Sequence, residues 1–152
     1  MGVGRKEFIM AVTLTLSNHY KYQLMKKLVD LSADTLIIIL MNNTFTFAKD
    51  TDATLALVTA DQLDTLHGYT QNDKTLANLV LVEDDTNDKG KMTCDDVSWT
   101  ASDGSIGATG AAIIYDDTTS DDTVIGCIDF GADYTISSGS KFGITDIEID
   151  IT

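Results

Sequence analysis

The chain has 152 residues, 43% of them hydrophobic and 22% charged, which is the make-up of one globular domain, or one domain with an extension, and not of a disordered segment. The net charge of −14 speaks against nucleic acid and anionic membrane surfaces as partners, because both demand clustered Lys and Arg. No apolar run approaches the roughly 18–20 residues of a membrane span.

The opening MGVGRKEFIMAVTLTLS carries Arg5 and Lys6, but Glu7 follows and no long apolar core does, so a secretory signal is poorly supported. Met10 begins MAVTLTLSN, which reads as an ordinary start. Lys6-Glu7 can be encoded as a ribosome-binding sequence, so translation from Met1 and from Met10 are both open. Residues 1–17 are read as an N-terminal arm or first strand, and 18–152 as a single β-sandwich domain with an N-terminal helix. Val12, Leu14 and Leu16 alternate, so they share one face of an extended segment. As an arm, that segment can add a strand to a neighbour, with these three side chains entering apolar pockets. As a first strand, it belongs to the domain's own core.

Ser17 and Asn18 supply N-cap chemistry, and Tyr20, Leu24, Leu28 and Leu31 then recur at helical spacing. Lys26 and Lys27 lie toward the end that favours positive charge. The pattern predicts a helix over 18–31, broken by SADT. Thr35 to Met41, TLIIILM, is apolar and rich in β-branched residues, and reads as a strand buried on both faces. NNTFTFAKD, with Phe45 and Phe47 alternating, reads as a short edge segment. In TADQLDTLHGY the i,i+3 pair Leu63 and Leu66 predicts one or two helical turns stopped by Gly68.

From Thr75 the pattern is β. TLANLVLVEDD is a strand, DDTNDKG a turn, and KMTCDDVSWTAS a further strand with a bend at Asp95-Asp96. DGSIGATG reads as a glycine-rich connection. AAIIYDD, TVIGCIDFG and KFGITDIEIDIT complete the set. Apolar phase changes in the last: Phe142 and Ile144 are even, Ile147, Ile149 and Ile151 odd, so a bulge or a change of sheet is required at Thr145-Asp146. The fold class is therefore mainly β: an antiparallel β-sandwich or jelly-roll-like barrel with one N-terminal α-helix. The chain has no proline, so its strand edges lack one common guard, which aspartates can replace.

The sequence holds little catalytic chemistry. Only His19 and His67 are neutral-pH bases, and neither sits in a nucleophile motif. Adjacent carboxylates such as Asp84-Asp85 and Asp95-Asp96 point to opposite faces of a strand and form no automatic acid–base dyad. Cys94 and Cys127 read as free thiols. Zinc lacks ligand spacing. Asp84, Thr86 and Asp88 before Gly90 faintly follow a calcium loop, but the glycine is one place late and the bidentate glutamate is missing. Asp116, Asp117, Asp121 and Asp122 form an acidic hairpin loop between strands Ala111–Tyr115 and Thr123–Phe130, read as a solvated turn. Trp99 reads as core. No enzyme activity, cofactor or metal is expected.

Trp99 to Gly131, WTASDGSIGATGAAIIYDDTTSDDTVIGCIDFG, resembles small structural proteins of tailed bacteriophages. Those have an N-terminal helix, a DTL strand, a tryptophan strand and a YDDT…IG…DFG hairpin. Here these are Asp34-Thr35-Leu36, Trp99, Tyr115 to Thr118, Ile125-Gly126 and Asp129 to Gly131, in that order. Where relatives often carry proline and arginine, this chain has Ala108, Thr109 and Gly110. The resemblance implies a virion component assembled in the host cytoplasm. A capsid decoration, or cement, protein on the major capsid protein is the first expectation, working as a homo-oligomer with a trimer favoured. A neck, tail or fibre-associated protein is the alternative. A carbohydrate-binding β-sandwich is a third reading, weakened by the shortage of aromatic residues.

Overall fold

In the computed structural model, which describes residues 6–10 and 14–152, ten strands form three sheets. The central sheet has the order β2-β8-β7-β3, with β2 at Thr15–Leu16, β3 at Leu36–Asn42, β7 at Ile106–Asp116 and β8 at Thr123–Ile136. The apolar run of β3 is buried from Leu36 to Met41. Leu36, Ile38 and Leu40 enter the main core beside Ala112 and Ile114 of β7, while Ile37, Ile39 and Met41 enter a second core with Ile113 and Tyr115. Period-two alternation thus feeds two cores from one strand. A helical turn, α2 (Leu55–Val58), roofs the second core through Val58, with Leu55, Phe45 and Phe47 packed at its margin.

Two three-stranded sheets share the main core. One has the order β1-β9-β6, with β1 at Lys6–Met10, β6 at Val97–Thr100 and β9 at Lys141–Thr145; the other runs β10-β5-β4, with β4 at Val80–Asp84, β5 at Lys89–Thr93 and β10 at Glu148–Ile151. Pairing is antiparallel except between β1 and β9. Trp99 and Phe142 sit opposite each other in register, and Met92 pairs with Ile149. The mainly β, antiparallel, sandwich-like expectation holds.

The phase change at Thr145-Asp146 is a change of sheet. Asp146 takes a positive φ of 54°, after which Ile147 and Ile149 are buried in register with the other sheet. The segment KMTCDDVSWT crosses between the same two sheets, so the expected bend at Asp95-Asp96 is a break separating β5 from β6. The Asp146 N–H donates to Asp96 Oδ1 at 3.3 Å, tying the two crossings together.

Three expectations are corrected. The first helix, α1, spans Asn18–Met25 and not 18–31. Lys27 turns left-handed at φ 60°, Lys27 N–H donates to the Leu24 carbonyl and Leu28 N–H to the Gln23 carbonyl. That is a Schellman closure with lysine where glycine is usual. The helical turns start before TADQLDTLHGY and end within its first three residues: Leu55–Val58 is followed by a 3-10 turn over Thr59–Asp61, while the Leu63 and Leu66 pair is not helical. Gln62 and Leu63 run extended instead, with Leu63 N–H bonded to the Leu40 carbonyl. The glycine-rich connection belongs from Ile106 to β7, where register shifts on either side of Thr109 mark bulges.

Of the proposed arm, Val12 lies outside the described residues. Leu14 is 8% exposed and packs in the main core, and Leu16 is partly buried against it. Thr15 and Leu16 pair with Cys127 and Gly126 of β8. A Cβ at Gly126 would stand 2.6 Å from the Thr15 carbonyl oxygen, so glycine at that position admits the strand. Leu14, just ahead of β2, therefore packs into the chain's own core.

Candidate functional site

The acidic hairpin tip is a junction. Asp116 ends β7 on the main-core face, opposite Leu36, and is fully buried; Asp117 is exposed, and Asp121 and Asp122 are half-buried. The turn is built from its own side chains. Asp116 Oδ1 accepts from Thr118 N–H at 2.9 Å, Thr119 Oγ1 donates to the Asp116 carbonyl at 3.0 Å, and Thr123 N–H donates to Thr119 Oγ1 at 2.8 Å. Asp122 holds a positive φ of 50°, which aspartate tolerates better than most residues.

Three other parts of the chain fasten to this tip. Thr35 N–H donates to Thr118 Oγ1 at 2.8 Å, and Asp117 N–H donates to the Thr35 carbonyl at 2.9 Å. Leu55 N–H donates to the Asp122 carbonyl at 3.0 Å. On the α1 side, His19 Nε2 lies 2.8 Å from Asp121 Oδ2, which Gln23 Nε2 also reaches at 3.4 Å. Ser17 both caps α1, accepting from Tyr20 N–H at 2.9 Å, and donates to the Val124 carbonyl at 2.5 Å. The tip is therefore not the freely solvated turn the sequence implied, because four of its residues carry bonds that lock helix, turn and sheet.

Two carboxyls in this loop are driven in opposite directions. Burial, then the neighbouring Asp34, pushes Asp116 up to about 7. Asp116 Oδ2 and the Tyr20 hydroxyl are both buried without a hydrogen-bond partner among the described protein atoms, and as a neutral acid Asp116 has a proton to offer Asp34. Burial works the same way on Asp121, but hydrogen bonds from Thr123 and His19 outweigh it and hold that carboxyl below the ordinary range. Burial and the charges of Asp117 and Asp121 raise Asp122.

The remaining expected chemistry is scattered. His67 stands at a left-handed turn beside Gly68, with its ring against Gly104, far along the chain from the His19 contact. Both cysteines are free: burial pushes Cys94 to about 11 and Cys127 to about 12. Asp84 accepts from the N–H and Nδ2 of Asn87, folding the calcium-like loop onto itself as a plain hairpin turn. Among the described residues no group of three or more His, Cys, Asp or Glu is placed to hold a metal ion. Trp99 is buried, with Lys74 Nζ 5.8 Å from its ring centroid.

Sequence reasoning missed a groove of about 850 Å3 between α1 with its following turn and the β10-β5-β4 sheet. Tyr20, Leu24, Val29, Met92 and Ile149 lie in its lining, with Leu81 at the β4 margin. The strand at that margin is legible in TLANLVLVEDD, but its exposure is not. Comparison with models of protein families, with curated proteins and with solved structures finds no match.

Proposed function

We propose that this chain is a structural protein of a tailed-bacteriophage particle, a decoration protein seated on the outer face of the head against the major capsid protein. The observation that supports this reading most directly is the use made of the phage-like phrase YDDT…IG…DFG. Each of its parts serves the framework: Tyr115 and Asp116 are buried, Thr118 binds the Thr35 turn, Gly126 admits β2, and Asp129 accepts from Gly131 N–H to shape the bend. Aspartates that hold a scaffold rather than face a substrate suit a particle component with no turnover to perform. Strong negative charge with no clustered basic stretch points the protein toward other proteins and away from packaged nucleic acid.

Purified particles test the proposal. Mass spectrometry should find the chain in them, and cryo-electron microscopy should place it on the shell in a copy number set by that of the major capsid protein. A copy number tied to a single vertex of the head assigns it to the neck or tail instead, and absence from purified particles overturns the structural reading altogether.

A further inference from the structure

Among the described residues, strand β4 is an edge with no covering segment. Val80, Leu81 and Val82 are 52%, 50% and 44% exposed, and no strand pairs with their outer side among the described residues. Edge strands are ordinarily protected by charge, proline, bulges or a covering segment. Here the first three residues are uncharged and charge is confined to Glu83 and Asp84 at the end of the strand, the chain has no proline, and the register with β5 runs through five consecutive pairs without a bulge. The edge of β3, by contrast, is covered by Leu63, Lys74 and Leu76.

We propose that β4 pairs antiparallel with β4 of a second copy about a two-fold axis centred on Leu81. In that register Leu81 faces Leu81, and Val80 faces Val82 of the second copy, so the exposed apolar side chains meet one another on both faces of the sheet. Charge permits this arrangement. Glu83 falls opposite Leu79 of the second copy, and Asp84 lies past the paired stretch, because Asn78 turns left-handed at φ 54°. The two Glu83 side chains are then about 13 Å apart along the strand, beyond the ~8 Å screening length of physiological salt. Pairing β4 with β10 of another copy repeats head to tail and does not close. A two-fold contact joins two three-stranded sheets into one of six strands and closes on itself. The inference concerns the chain alone and does not rest on its place in a particle.

Sedimentation equilibrium of the full chain should give twice the 16.4 kDa chain mass, strengthening as salt screens the acidic surfaces. Leu81→Lys and Val82→Lys, both at exposed positions, should raise the dimer dissociation constant by ~10-fold or more, or ~1.4 kcal/mol, with unchanged circular dichroism. Leu81→Cys should form a disulfide-linked dimer on mild oxidation, because opposed strand residues lie within bridging range. Val80→Cys alone should not, since its opposite number is Val82. The variants are made in a Cys94→Ser background, because Cys94 is half-buried while Cys127 is buried. A monomer at every concentration, a trimer, association that weakens with added salt, or cross-linking through Val80→Cys but not Leu81→Cys would each overturn the proposal.

Discussion

LIIILM in β3 and LVLV leading into β4 are alike as sequences, and their fates are opposite. Every residue from Leu36 to Met41 is buried, whereas Val80, Leu81 and Val82 stand half in solvent. The difference does not lie in the strands. It lies in what the rest of the chain lays beside them: β3 has β7 on one side and, on the other, the extended stretches around Leu63 and Lys74, with the Tyr69 hydroxyl accepting from Leu40 N–H at 3.1 Å. Among the described residues β4 has β5 on one side and no strand on the other. Apolar identity reports that a strand wants cover; only the fold says whether the cover is internal.

The comparison can be broken most severely inside β3. Leu40→Ala removes a fully buried side chain from the main core and should cost about 2–5 kcal/mol in urea unfolding. A loss under about 1 kcal/mol would mean that β3 is less tightly enclosed than its burial implies.

Next comes the carboxyl opposite Leu36. Asp116 is held near 7, far above its unfolded value, so the folded state keeps that proton where the unfolded state releases it. Its contribution to stability is fullest below about 4 and is lost as pH climbs to about 7. Since its partner Asp34 is half-exposed, solvent screening should bring the effect to order 2 kcal/mol. Asp116→Asn should flatten that part of the pH profile, read as the urea midpoint against pH. An unchanged slope would show that the acid does not titrate there.

Tyr69→Phe tests the cover itself. It leaves Leu40 N–H and Gln62 Nε2 without the oxygen they share, and should cost about 1–2 kcal/mol by the same measurement. The smallest effect belongs to β4. Leu81→Ser, assayed at concentrations where the chain is monomeric, should change stability by no more than about 0.5 kcal/mol. A cost as large as that of Leu40→Ala would refute the contrast between the two strands.

Much of this architecture could be read before any coordinates. Alternation located the strands, and the odd–even change after Ile144 required a bulge or a change of sheet at Thr145-Asp146, because side chains on a strand can only face two ways. Local chemistry also placed the Ser17 cap. What escaped depended on distant contacts or on a single dihedral. Lys27 in a left-handed turn is indistinguishable in sequence from a helical lysine, so the pattern predicts a longer helix than α1. Glycines at 107 and 110 suggested a connection, since bulges within a paired strand use the same residue. In the hairpin, Asp116 and Asp117 are neighbours of one type, yet one is buried and one exposed. No local pattern separates them, because the separation comes from Asp34 and β3 arriving from elsewhere in the chain. The same holds for Leu14, whose place in the main core comes from neighbours distant in the chain.

The crossings tied by Asp146 and Asp96 also set an order on biosynthesis. β9 lies between β1 and β6, so neither of those strands has a sheet partner until Lys141–Thr145 has been made. The β3-β7-β8 pairs, in contrast, are complete by Ile136. A chain emerging from the ribosome can zip its central sheet first and must wait for its final strands before Trp99 and Met92 are enclosed. Such long-range closure is slow, and until then the half-made protein presents sticky surface to chaperones and to its own copies.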